Sequence, residues 1–376
     1  MKSILIDGFY GADNLGDDYI LYSIVNTISN TKPDSVIVKC NANYKGYEWL
    51  YKEYKNIRFN QSEIGHTPGI FEKIGFWIIG GGGLFPQENT IVLLKKLLLI
   101  WLARICGTRV IIYGVEINPV SKFRNKILWD LIRRSVDRVM LRNESSKNNF
   151  LIKEKVESYS DVIFSLVTSD ERTPDEGFYS KKLGNEYNVW AVAMPWSEKE
   201  LETPHFDNRY KKLLHQFTKE INRAGKPVAF IPFMKNRDSK MISDMIKNIN
   251  VPWEIYGDDY SVSRKRLIFE KAEICYCMRF HSLLFALYFG TDFKCISYSP
   301  KSSELLKELD LYDHCQEIGI RKSDFFKEEF DLDDTKLDIF FESNCNSKAI
   351  IKASEVLKQK SKMGSNILEK WIGEFK

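Results

Sequence analysis

The stretch Cys277-Met278-Arg279-Phe280-His281-Ser282-Leu283-Leu284-Phe285-Ala286-Leu287-Tyr288-Phe289-Gly290-Thr291-Asp292-Phe293-Lys294-Cys295-Ile296-Ser297-Tyr298-Ser299-Pro300-Lys301 decides how this chain of 376 residues is read. An apolar run of strand length, Glu273 to Tyr276, hands over to an apolar run of helix length, Ser282 to Phe289, and Gly290 leads into a second strand, Phe293 to Ser297. Arg279 and His281 then stand at the carboxyl end of one strand, and Lys301 stands just past the end of the next. Open parallel sheets keep their ligands there. Two fixed cations and one titratable imidazole suit a small polyanion carrying phosphate and carboxylate, with a proton donor or acceptor at hand. The structural alternative is a helix N-terminus held by a satisfied histidine.

Going back from this stretch, the same alternation continues. Strands are expected at 189–193, 228–231 and 253–256, with helices at 210–223, 238–249 and 263–271 between them. The first half alternates in the same way. Strands are expected at 3–6, 36–40, 76–79, 109–114, 137–141 and 156–158, and helices from after Asp18 to about Ser29 and from Phe123 to Arg134, with an aromatic-rich segment over 44–59. Between the halves, residues 168–186 lose apolar periodicity and read as a linker. The expected class is therefore α/β, with a Rossmann-like domain over 1–167, a second over 187–332, and helices over 333–376, the last of which is expected to return to the N-terminal domain.

The totals exclude several classes. Hydrophobic residues make up 44% and charged residues 28%, which is a globular composition, and a net charge of +4 with interspersed signs argues against nucleic acid as a partner. Seven cysteines without a Cys-x-x-Cys pair form neither a disulfide framework nor a zinc ribbon, so reduced thiols, a cytoplasmic location and no resident metal are expected. Met1 to Gly8 is too short in its apolar part for a signal peptide. Ile91 to Ile105 is the longest apolar run, and it is broken by Lys95 and Lys96. It reads as a buried crossover helix, or else as a helix that touches membrane with Trp101 and its leucines while its lysines meet lipid headgroups.

Three further places carry candidate residues. The loop Gly8 to Asp18 has its glycines out of register for a dinucleotide fingerprint, and Asp17 and Asp18 stand where a P-loop needs Lys and Ser or Thr. Phe9 and Tyr10 are expected to wall a sugar ring, with Asn14 or Asp17 bonding its hydroxyls, unless Asp17 simply caps the helix. Gly80 to Gly83 after a strand permits close approach of a ligand, with Gly81 and Gly82 as the contacts, or else marks a tight turn. Arg142 at the end of its strand, opening a helix with Ser145, suits a phosphate or carboxylate, and its structural alternative is an ion pair with Glu144 or Glu116.

Taken together, Gly8-Phe9-Tyr10-Gly11 with Asn14-Leu15-Gly16-Asp17, Ile78 to Phe85, Leu141 to Ser145, Phe230 to Phe233 followed by Asp238, Met278 to His281 and Tyr298 to Lys301 make the chain resemble the polysaccharide pyruvyl transferase family over nearly its whole length. The resemblance implies two Rossmann-like domains facing each other across a cleft, the GT-B-type arrangement. It implies transfer of a pyruvyl group from phosphoenolpyruvate to two hydroxyls of one sugar, giving a cyclic ketal and phosphate with no redox cofactor. It associates Arg142, His281 and Lys301 with the donor site and catalysis and the aromatic position at Tyr10 with the acceptor; the chemistry of the reaction then leaves Arg279 to assist or to orient the loop. The acceptor expected from it is a lipid-linked or nucleotide-linked saccharide precursor of a capsule, exopolysaccharide or wall polymer, and Ile91 to Ile105 with the basic balance favour a lipid-linked one at the inner face of the cytoplasmic membrane. Ala12 and Met194 depart from the family pattern, so the strand end at Met194 is given no anion role. Two other readings share the architecture: a GT-B glycosyltransferase using a nucleotide sugar, and a sugar-binding relative without activity.

Overall fold

The computed structural model describes residues 3–11, 14–39, 50, 54–60, 73–82, 89–166, 183–195, 202, 204–257, 262–318 and 333–374. Ala12, Gly83 to Phe85, Trp196 and most of the expected linker lie outside them. The chain divides into two compact units, Met1–Thr168 with Leu357–Lys376, and Ser169–Val356.

The first unit is built on β1 (Ser3–Asp7), α1 (Leu15–Ser29), β2 (Val36–Lys39), β3 (Ile57–Asn60), β4 (Ile74–Gly82), α2 (Thr90–Ile105), β5 (Arg109–Val115), α3 (Phe123–Ser135), β6 (Arg138–Leu141) and β7 (Val156–Ser158). Its strands pair in the order β3-β2-β1-β4-β5-β6-β7, all parallel. A parallel sheet is covered on both faces, which is why β1 and β5 read as unbroken apolar runs and are buried almost throughout. Asn89 starts α2 by accepting from the amides of Ile91 and Val92. Leu93, Leu97, Ile100 and Ala103 of α2 join Trp77, Ile112 and Trp129 in the core.

The second unit repeats the plan with β8 (Asn188–Ala191), α4 (Pro204–Ala224), β9 (Val228–Phe230), α5 (Lys235–Ile246), β10 (Trp253–Ile255), α6 (Val262–Glu270), β11 (Cys275–Cys277), α7 (Phe280–Phe289), β12 (Phe293–Ser297), α8 (Pro300–Glu308), β13 (Cys315–Glu317) and α9 (Asp334–Glu342). The strand order is β10-β9-β8-β11-β12-β13, again all parallel. Trp190 stacks on Tyr276 at 4.1 Å between ring centres, with Phe217 and Phe341 closing the cluster. Gly290 ends α7 in the left-handed region at φ 70°, a conformation other residues adopt only at a cost. In each sheet the order reverses once, between β1 and β4 and between β8 and β11, so each has a switch point where two loops diverge from the carboxyl edge.

The C-terminal segment is divided between the units. Leu337, Phe340 and Phe341 of α9 belong to the core of the second, and buried Lys294 of β12 donates to the Phe340 carbonyl at 2.6 Å, closing the end of α9. The last helix, α10 (Ser347–Gly373), finishes on the first unit. There Trp371 meets Phe76 edge-on at 5.1 Å, and Glu369 accepts from Asn30 at 2.9 Å.

Candidate active site

At the switch point of the second unit, β11 delivers Arg279 as the residue before α7, with His281 in the first turn of that helix. Neighbouring β12 delivers Tyr298 and then Ser299, which caps α8, so that Lys301 lies in the first turn there. His281 and Lys301 are both half-buried. Arg279 joins the two loops. Its Nη1 donates to the Tyr298 hydroxyl at 3.0 Å, its Nε donates to Asp238 Oδ2 at 3.2 Å, and its Nη2 donates to Asp238 Oδ1. Asp238 is fully buried in the first turn of α5 and also accepts from the amides of Phe233 and Met234, at 3.0 and 2.8 Å. One carboxylate therefore ties together the loops after β9 and β11, and through Arg279 the loop after β12. Burial alone would favour losing the Arg279 proton, but Tyr298 and Asp238 outweigh it and hold the guanidinium charged.

The carboxyl edge of the first sheet carries two buried ionic groups. At the end of β1, Asp7 accepts from Lys96 at 2.7 Å and faces Lys39 at 3.4 Å. Burial would raise its pKa, and the two ammonium groups overcome this and hold it below the usual carboxylate range. At the end of β6, Arg142 is 7% exposed, with Nη2 on Glu116 and Nη1 donating to Asp161 Oδ2 at 3.1 Å. Burial opposes its charge, but Glu116 and Asp161 more than compensate, and Asp17 adds to the field. Burial pushes the Asp161 carboxyl up despite the pull of Arg142.

Several sequence readings are corrected at this edge. Arg142 does not open an α-helix: a five-residue 3-10 segment, Ser145–Asn149, follows it, with Ser145 exposed and Ser146 turned inward to accept from the Ile117 amide at 2.9 Å. Of the carboxylates considered for Arg142, Glu116 is the partner, whereas Glu144 pairs with Lys147 at 2.8 Å. Tyr10 offers no wall to a ligand, because it is fully buried and its hydroxyl donates to the Gly80 carbonyl at 2.9 Å. Phe9, beside it, is half exposed. Asn14 caps α1 by accepting from Gly16 at 3.2 Å and donates to Asp17, which is buried. The close approach permitted at Gly81 is taken up by the protein itself: a Cβ there would fall 2.3 Å from Ile20 Cγ2 and 2.9 Å from the Tyr10 hydroxyl. Gly82 ends β4 opposite Val115.

Thus Arg279, His281 and Lys301 stand on adjoining loops of one sheet edge, and Arg142 stands at the edge of the other unit's sheet. Asp238, Tyr298 and Asp161 hold parts in these networks that the sequence alone does not assign. An acidic residue in the first turn after Phe230-Ile231-Pro232-Phe233 was a signal for Asp238; Asp161 gave none, because its nearness to Arg142 comes from the pairing of β6 with β7.

Two all-parallel units, each with ionic groups at the carboxyl edge of its sheet, give the chain the GT-B fold class. Within that class the chain belongs to the polysaccharide pyruvyl transferase family, whose model matches residues 14–300. Among solved structures it is similar to a protein assigned as UDP-N-acetylglucosamine 2-epimerase in Listeria monocytogenes (8% identity, 100% of this chain and 97% of that one, TM-score 0.60). It is also similar to the UDP-GlcNAc 2-epimerases of Methanocaldococcus jannaschii (14%, 99% of each chain, 0.55) and Neisseria meningitidis (10%, 98% and 99%, 0.56). At these identities the likeness is one of fold alone. A search of curated proteins gives no match.

Proposed function

We propose that this protein transfers the pyruvyl group of phosphoenolpyruvate to two hydroxyls of one sugar residue in a capsule, exopolysaccharide or wall-polymer precursor. Protonation of the enol carbon C3 gives a methyl group and an electrophilic C2. The first hydroxyl adds to C2 and loses its proton, the C2–O bond to phosphate breaks, and the second hydroxyl closes the ketal as it too loses its proton. One of the two released protons replaces the one consumed at C3, and the other leaves with phosphate. His281 serves as the acid or base in these transfers, and Lys301 and Arg142 neutralise phosphate and carboxylate. The N-terminal amides of α7 and α8 add their own pull on an anion. No redox cofactor enters this chemistry.

The observation that carries the reading is the tie from Arg279 to Asp238 and Tyr298, which fastens the loop bearing His281 to the loop bearing Lys301. In this reading the tie supports an orienting part for Arg279, with donor binding given to Lys301 and Arg142. Calorimetric titration tests the donor: phosphoenolpyruvate should bind and uridine diphosphate should not, and the reverse would favour a nucleotide-sugar enzyme. With saccharide acceptors, mass spectrometry should show the gain of one pyruvic acid less one water, and His281→Ala should abolish phosphate release while the chain stays folded.

A further inference from the structure

Helix α2 is apolar on two faces, and among the described residues only one of them is covered. Leu93, Leu97, Ile100 and Ala103 enter the core, whereas Ile91, Leu94, Leu98, Trp101, Leu102 and Ile105 are exposed, from 44% at Leu94 to 82% at Ile105. At 100° per residue those six fall within an arc of about 100°, a continuous stripe along the whole helix. The neighbouring helix α3 is fastened to α2 where the Trp101 indole donates to Ser135 at 2.8 Å, and it extends the surface with exposed Phe123 and Ile127. Soluble surfaces rarely leave so many large apolar side chains side by side.

Among the described residues the charges around the stripe are mainly cationic. Helix α2 holds Lys95, Lys96 and Arg104 and no acidic residue. The segment from Lys122 to Arg134 adds Lys122, Arg124, Lys126, Arg133 and Arg134 against a single acid, Asp130, which is buried beside Arg133. Asp137 engages Arg104 at 3.0 Å, which leaves Lys95, Lys122, Arg124 and Arg134 exposed along the border. A symmetric pairing of two copies through this face would set that cationic border against itself, so a second copy is a poor occupant. An anionic lipid surface satisfies both features at once, taking the apolar stripe into the acyl boundary and the border among its headgroups. Among the described residues no helix is long and apolar enough to cross a membrane, so α2 would lie in the interface.

We infer that the α2–α3 face of the first unit is a docking surface for an anionic membrane. The inference stands independently of the pyruvyl-transfer reading. It is tested with the full chain and vesicles of phosphatidylcholine with or without about 30% phosphatidylglycerol, read by co-sedimentation. Anionic vesicles should bind the protein roughly tenfold better than neutral ones, and Leu98→Gln with Ile105→Gln should lose roughly tenfold of that binding at an unchanged melting temperature. Replacing Lys95, Lys122 and Arg124 by serine should remove the preference for phosphatidylglycerol. Lipids brominated in the acyl chain should quench fluorescence in the wild type and less in Trp101→Phe. Equal binding by the wild type and the Leu98/Ile105 variant overturns the proposal, as does failure of the wild type to sediment with anionic vesicles. A wild-type dimer that this variant makes monomeric, without vesicle binding by either, assigns the face to a second copy instead.

Discussion

Arg279 and Asp238 meet side-on, with Nε donating to Oδ2 at 3.2 Å and Nη2 donating to Oδ1, and the carboxylate that receives them is fully buried. The same Oδ2 accepts two backbone amides from the loop after β9. Asp238 is thus the hub of the edge that bears His281 and Lys301. Removing its charge leaves a guanidinium, 13% exposed, without its counterion. Asp238→Asn is expected to lower stability by about 3–5 kcal/mol. Urea unfolding followed in the far ultraviolet measures this, and an unchanged midpoint would refute the hub.

Tyr298→Phe separates positioning from folding. The hydroxyl receives one Arg279 N–H at 3.0 Å, so its loss should cost about 1 kcal/mol of stability. The loops after β11 and β12 then lose their direct tie, and kcat for phosphate release should fall more than KM for phosphoenolpyruvate rises. A variant that unfolds earlier but turns over normally would confine Tyr298 to a structural part.

Gly81 sits at φ 84°, inside a strand, with helix α1 pressed against it. Gly81→Ala meets steric clashes, chiefly with Ile20 Cγ2 and also with the Tyr10 hydroxyl, and the backbone conformation, about 1–2 kcal/mol for the latter. Gly81→Ala should therefore cost less melting temperature in an Ile20→Ala background than in the wild type, while still costing some. A Gly81→Ala change that costs nothing in the Ile20→Ala background would mean that the conformation costs nothing here.

Much of the fold could be read in the sequence because parallel strands are buried on both faces and announce themselves as short apolar runs. Strand β13 could not, since Cys315-Gln316-Glu317 is a half-buried edge strand with no apolar run. The side facing solvent was equally hard to read. Phe9 and Tyr10 are adjacent in a loop without period, and only the packing of Tyr10 against Gly8 and Gly80 decides which ring goes inside. Arg142 was found as a charge at a strand end. The pairing of β6 with β5 and with β7, which brings it Glu116 and Asp161, is a property of topology.

Those partners set what Arg142 substitutions should do. Arg142→Met leaves two buried carboxylates facing each other without their cation and should cost about 3–5 kcal/mol. Arg142→Lys keeps the charge but cannot reach both with a planar fork, so it should fall between. Glu116→Gln keeps Asp161 as a counterion and removes one negative charge beside Arg142, so phosphoenolpyruvate should bind this variant at least as tightly as the wild type if Arg142 meets the donor. Binding weakened in Glu116→Gln and unchanged in Arg142→Lys would take Arg142 out of the donor site.

Asp7 gives a prediction whose sign is fixed by its neighbours. Its folded pKa lies below the unfolded value of about 3.9, because Lys96 and Lys39 outweigh burial. A depressed carboxyl contributes stability that is complete above the unfolded pKa and disappears as pH falls through the folded one. Asp161 works in the other direction, its raised pKa favouring the folded state more at low pH, but it is present in the wild type and in a position-7 variant alike and cancels from their difference. The wild type should exceed Asp7→Asn by about 2 kcal/mol at pH 7, the scale of a hydrogen bond to a charged partner. That gap should begin to close below about pH 4 and keep closing as the acid limb is followed down. Urea midpoints of both proteins along that series measure it, and a gap that stays constant with pH would show that the Asp7 charge, and with it the Lys96 pair at 2.7 Å, contributes nothing to the first unit.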